Sequence, residues 1–183
     1  LLVCLSARLL AAFFAQGYLM HDDHFLTVEP AASWADGKNF NDWLPGIGND
    51  REHPEPISFF YLGHLYILFK IFNALGIDHP EHQMLLMRVI HALYSLLTVY
   101  LVYRITEKIS ERRYANTAGW LMATIAILPN FSVRNLVELV CMPPLLGGMY
   151  LLISNATIKD IKRSTLQIAT GTIILAAFAM GFA

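Results

Sequence analysis

Four consecutive residues, His21-Asp22-Asp23-His24, could do chemistry, and they directly follow about twenty mostly apolar residues. A carboxylate beside a partly dry surface can act as a general base if it reaches a substrate hydroxyl and stays ionised. The plainer reading is a polar collar marking where an apolar segment leaves a membrane. Position alone leaves both open. As a metal site the run is poor, because consecutive side chains point in different directions on a helix or a strand. His79 and His82 have helical spacing but lack the HExxH pattern. No cofactor and no structural metal are therefore expected, although a divalent ion shared by an aspartate and a substrate phosphate stays open.

A second group of residues could handle an anion. Arg51, His53 and Arg134 lie in polar connections. An arginine at a membrane surface can grip a phosphate with two parallel bonds and does not lose its proton. Arg88 and His91 sit one turn apart near the end of an apolar block. Ionisable groups there are either functional or paired within a bundle. Glu138, one turn after Arg134, has an ion pair with that arginine as its plain explanation. Cys4 and Cys141 both fall in apolar blocks and read as small buried hydrophobes.

The elements that must position these groups are apolar. The chain has 183 residues, 56% hydrophobic and 15% charged, too apolar for an ordinary soluble domain. The net charge of −1 gives no general attraction for nucleic acid. Spans are expected at about 1–20, 84–103, 115–131, 136–153 and 165–183, each long enough to cross a core of about 30 Å. The external loop is 21–83, with a short helix over 26–36. Within it, 57–75 is aromatic-rich and reads as a helix in the interface, or alternatively as a further span. Pro143-Pro144 with Gly147-Gly148 mark a kinked or tightly packed span. The fold class is all-α, a polytopic membrane helical bundle. A start at Leu1 and an end inside an apolar stretch suit the N-terminal part of a longer domain.

Charge sets the orientation. The short connections 104–114 and 155–164 hold seven of the thirteen Lys and Arg residues, which places both in the cytoplasm. The loop 21–56 has only Lys38 and Arg51 as basic residues and belongs outside. Asn130 and Asn155 match glycosylation acceptor patterns by chance. With no credible external acceptor, the bacterial plasma membrane is favoured over the endoplasmic reticulum.

The run SARLLAAFFAQGYLMHDDHFLTVEPAASW resembles the start of the membrane mannosyltransferases of the GT-C class. These include the enzymes that add mannose to GPI anchors and to lipid-linked oligosaccharides. That family has an arginine in its first span, an HPDE-type motif at the outer end, an aromatic, then EPA. Arg8, His21, Asp23, Phe25 and Glu29-Pro30-Ala31 match. Asp22 stands where the family has proline, and His24 where it has its second acid. The acidic pair is thus shifted, as in the related protein O-mannosyltransferases. Trp43 and Arg51-Glu52-His53-Pro54 resemble the family's Trp-rich and Arg…Pro segments.

The resemblance implies sugar transfer, with mannose expected, from a polyprenyl-phosphate carrier to a lipid or glycan acceptor on the external or lumenal face, with inversion. The lipid bilayer is then a partner and nucleic acid is not. Asp23 is implied as the base, Asp22 as its partner, and Arg51 or Arg134 as the phosphate clamp. Glu29 would orient the acceptor, with His21, His24 and His53 lining the substrate site. The alternatives are a transporter, a flippase for the lipid carrier, or a non-catalytic subunit. The first would also place ionisable groups such as Arg8, Arg88 and His91 in its spans.

Overall fold

A computed structural model describes residues 1–38 and 59–155, and among them every regular element is helical. Helix α1 is Leu2–Phe14, α2 is His21–Asp23, α3 is Glu29–Ala35 and α4 is Phe59–Ala74. Then come α5 (Pro80–Ile109), α6 (Arg112–Thr124), α7 (Ile127–Ser132) and α8 (Val137–Asn155). Arg51, His53, Trp43 and the expected span 165–183 lie outside the described residues.

The long helix α5 organises the rest. Its 30 residues run about 45 Å, and α1, α6, α7 and α8 all pack on it. Helix α1 runs antiparallel to α5: Ala12 and Ala92 share one core cluster, while Cys4 and Val99 share another. Ala12 and Ala92 are completely buried. Small residues let two backbones approach where no water is available to drive apolar association. Helix α8 runs parallel to α5, with Tyr94 donating to the Val140 carbonyl at 2.9 Å and Arg104 donating to the Tyr150 hydroxyl at 3.2 Å. One end of the bundle therefore carries Arg104, Lys108, Arg112 and Arg113. The other gathers the exit of α1 and the starts of α5 and α8. Helices α5 and α8 are long and apolar enough to cross a membrane.

Three segments differ from the sequence reading, each for a local reason. Helix α1 stops at Phe14, although 1–20 is mostly apolar. Gly17 takes a left-handed φ of 73°, which turns the chain. The described helix covers about 20 Å. The stretch 115–131 is two helices, because the chain is extended at Ile125. In α8, a side-chain carbon added at Gly147 would meet nothing within 4 Å, so close packing does not explain that glycine.

The 26–36 helix has a break in register within it. His24–Val28 is a π turn in which the Glu29 amide bonds the His24 carbonyl. Pro30 is the cause: it has no amide to give the Leu26 carbonyl, so the ladder slips by one residue. Helix α4 then packs on α3, burying Val28, Ala31, Leu62, Leu65 and Phe69 in the main core. It touches the N-terminal half of α5 through Tyr61 to His91 and Asn73 to Gln83.

Arg8 ties the bundle together. Its side chain is 1% exposed. It donates to Ser95 Oγ at 2.9 Å, Cys4 Sγ at 2.6 Å and the Met122 carbonyl at 3.2 Å, so one guanidinium joins α1, α5 and α6. Lysine cannot copy that fork, and it would still bury a charge. Arg8→Lys is therefore expected to lower the unfolding temperature in detergent by more than Arg8→Met does. Equal or greater loss in Arg8→Met would show that charge, not the fork, holds the three helices.

Candidate active site

A helix leaves its last carbonyls without intrahelical partners, and its C-terminal end is partially negative. At the exit of α1 two arginines take up a carbonyl of its last turn and two carbonyls of the chain just beyond it. Arg88 Nε of α5 donates to the Ala12 carbonyl at 2.7 Å. Arg134, just before α8, donates through Nη1 to the Gln16 carbonyl at 3.1 Å and to the Gly17 carbonyl. Arg134 is thus turned toward α1, and no ion pair joins it to Glu138 among the described residues. Its Nε and the neighbouring Asn135 Oδ1 are buried with no partner among the described residues. A buried donor without a partner is costly and is suited to receive an anion. Burial also pushes the Arg134 guanidinium below its ordinary pKa.

Asp23 faces the same place. It lines one small cleft with Arg88, Arg134, Asn135, Tyr18 and His24. Its Oδ1 lies 3.5 Å from the Val137 amide, the first residue of α8. The positive end of a helix favours an ionised carboxylate. The Asp23 carbonyl accepts from the Thr27 hydroxyl, which ties it into the π turn. Asp22 belongs to α2, but its side chain is outside the described ones.

His24 stands at the edge of the cleft. Its ring stacks on Tyr18 at 5.2 Å, and its Nε2 lies 3.1 Å from Glu29 Oε1. That hydrogen bond holds the Glu29 carboxyl below its ordinary 4.5, against the opposing effect of burial. Glu29 lines a separate groove on the far side of His24. His21 is exposed and packs its ring on Phe25, 4.4 Å away. Of the site residues expected from sequence, Asp23, His24 and Arg134 are brought together. Glu29 is one step removed, and Arg51 and His53 lie outside the described residues. Arg88, Tyr18 and Asn135 complete the cleft. The sequence flagged Arg88 only as an ionisable residue in an apolar block, and it gave no signal for the other two.

Behind the cleft lies a buried pair. His91 Nδ1 is 2.9 Å from the Met87 carbonyl, and Nε2 is 3.0 Å from the Tyr61 hydroxyl. A carbonyl only accepts, so Nδ1 carries the proton. In the neutral ring Nε2 then accepts from Tyr61. The pair fastens α4 to α5.

The sequence model of the Alg9-like mannosyltransferase family matches residues 1–182. No curated protein and no solved structure matches the chain. The family match decides for an enzyme, a glycosyltransferase, over the transporter and subunit readings.

Tyr61→Phe leaves His91 Nε2 buried without its donor, at a cost of about 1–3 kcal/mol. A lower unfolding temperature is expected, and an unchanged one would show that the pair is not a fastening. For Glu29 the depressed folded-state pKa means stability that is present above its ordinary value and lost as pH falls through the folded value. Wild type should therefore melt above Glu29→Gln at pH 6, with the gap closing below about pH 4. A gap that does not depend on pH would separate Glu29 from the His24 bond.

Proposed function

The chain belongs to the Alg9-like mannosyltransferase family, whose members are integral to the membrane, and we propose how its cleft transfers mannose. The donor is a polyprenyl-phosphate mannose and the acceptor a hydroxyl of a lipid or glycan. Asp23 takes the hydroxyl proton as the oxygen attacks the anomeric carbon. The bond from that carbon to the phosphate oxygen breaks, and the phosphate leaves with the electron pair. A single displacement inverts the configuration. The transition state resembles an oxocarbenium ion, as in glycoside hydrolysis.

One observation carries this reading: a carboxylate and two arginines line the same cleft. The roles divide by chemistry. Asp23 sits at the positive end of α8, which supports the ionised form that a base needs. Arg88 is fixed to the Ala12 carbonyl of α1 and Arg134 to the Gln16 and Gly17 carbonyls just beyond it, and the unpartnered Nε of Arg134 suits a phosphate oxygen. Donors fixed in advance stabilise developing charge without reorganising. His24 and Tyr18 form a flat wall beside Asp23 that suits the sugar ring. Asp22 neighbours the base and tunes it, and His21 lies at the outer edge.

The test is transfer from polyprenyl-phosphate mannose in membranes containing the full-length protein. Charge-assisted hydrogen bonds contribute about 1.5–3 kcal/mol. Arg134→Ala and Arg88→Ala are expected to raise the donor KM by about 10- to 100-fold, with unfolding temperature followed in parallel. Stable variants with an unchanged donor KM would remove the arginines from the phosphate site.

A further inference from the structure

His24 separates two cavities of opposite character. On one side is the arginine cleft. On the other, a groove runs between α3, the end of α4 and the start of α5. His24 and Met84 line both, so the two meet beside Asp23. The groove has a volume of about 560 Å³, within the range of small-molecule sites.

Its polar lining is carboxylate and amide: Glu29, Asp36 and Asp78 with Asn73 and Gln83. Among the described residues Lys38 is its only Lys or Arg. Three carboxylates against one ammonium disfavour an anion. Planar amides and carboxylates offer donors and acceptors in pairs, which suits the vicinal hydroxyls of a neutral sugar.

The polar rim is held in place before any ligand arrives. Gln83, itself buried, donates through Nε2 to Asn73 Oδ1 at 2.7 Å and to the Ile77 carbonyl at 2.8 Å. Asn73 Nδ2 donates in turn to Asp36 Oδ1 at 3.2 Å. The chain thus crosses from α5 through α4 to the end of α3. It leaves the Gln83 carbonyl oxygen and one Asn73 N–H without a hydrogen bond among the described residues.

We propose that this groove is the acceptor subsite: it binds a neutral pyranose through the Asp36–Asn73–Gln83 chain and hands its hydroxyl to Asp23 past His24. The assignment rests on the transferase reading and divides the two substrates by charge. The lipid-linked phosphate goes to the arginine side and the uncharged sugar to the carboxylate side.

The probe is α-mannobiose, followed by saturation-transfer NMR on the full-length protein in detergent micelles. Wild type and Asp23→Asn are expected to give the same signal. Asp36→Ala, an exposed substitution, and Asn73→Ala are expected to weaken mannobiose binding at least tenfold. Added polyprenyl phosphate should not displace the sugar. In the transfer assay the same two variants should raise the acceptor KM and leave the donor KM unchanged. The proposal is overturned if wild type gives no mannobiose signal, if both groove variants bind normally, or if polyprenyl phosphate competes. Transfer that survives Asp23→Asn would remove the base and leave the groove assignment standing, so the two failures are distinguishable.

Discussion

The unpaired carbonyls where α1 ends hold the candidate site together. The helix stops at Phe14, and Gly17 turns the chain, so Ala12, Gln16 and Gly17 present oxygens with no helical partner. Arg88 comes from α5 and Arg134 from the start of α8, and both settle on these oxygens. One electrostatic need of a helix end thus fixes three separate stretches of chain against one another. It also gathers positive charge beside Asp23. Without Arg88 the Ala12 carbonyl, part-buried at the end of α1, would lose its partner, and without these oxygens the arginines would have no fixed direction.

The π turn supplies the second constraint. Pro30 removes one amide from the ladder, which slips between His24 and Glu29, and the Thr27 hydroxyl bonds the Asp23 carbonyl one turn back. It also spaces His24 and Glu29 for their bond across the turn. Asp23 then stands on one side of His24 and the carboxylate and amide groove on the other. The EPA tripeptide therefore acts through backbone register as well as through its glutamate. Arg8, in contrast, is remote from this chemistry. It is buried in the bundle, and its three bonds fix the helices that carry the site.

Much of this was legible in the sequence. The apolar blocks gave the helical class, and HDDH followed by EPA gave the transferase resemblance. The position of Arg134 outside the spans marked it as a phosphate candidate, and it lines the cleft with Asp23. Other features were hidden for physical reasons. The composition stays mostly apolar through Met20, so it does not show that α1 ends at Phe14, where the backbone leaves helical geometry at Ala15. Continuity of 115–131 looked secure because its residues are apolar, yet the extended backbone at Ile125 divides it. Tyr61 and His91 are thirty residues apart, and no local pattern predicts that their side chains meet. Arg88 could have been a snorkelling residue. Its role depends on α1 lying antiparallel beside α5, which is a tertiary fact.

The most direct test of the central claim is transfer of labelled mannose from its polyprenyl-phosphate carrier by full-length protein, with Asp23→Asn beside Asp22→Asn. A general base contributes about 10²- to 10⁴-fold. A loss of that size is expected in Asp23→Asn, with unchanged unfolding temperature and donor binding, and a smaller loss in Asp22→Asn. Full transfer by Asp23→Asn would contradict the central claim.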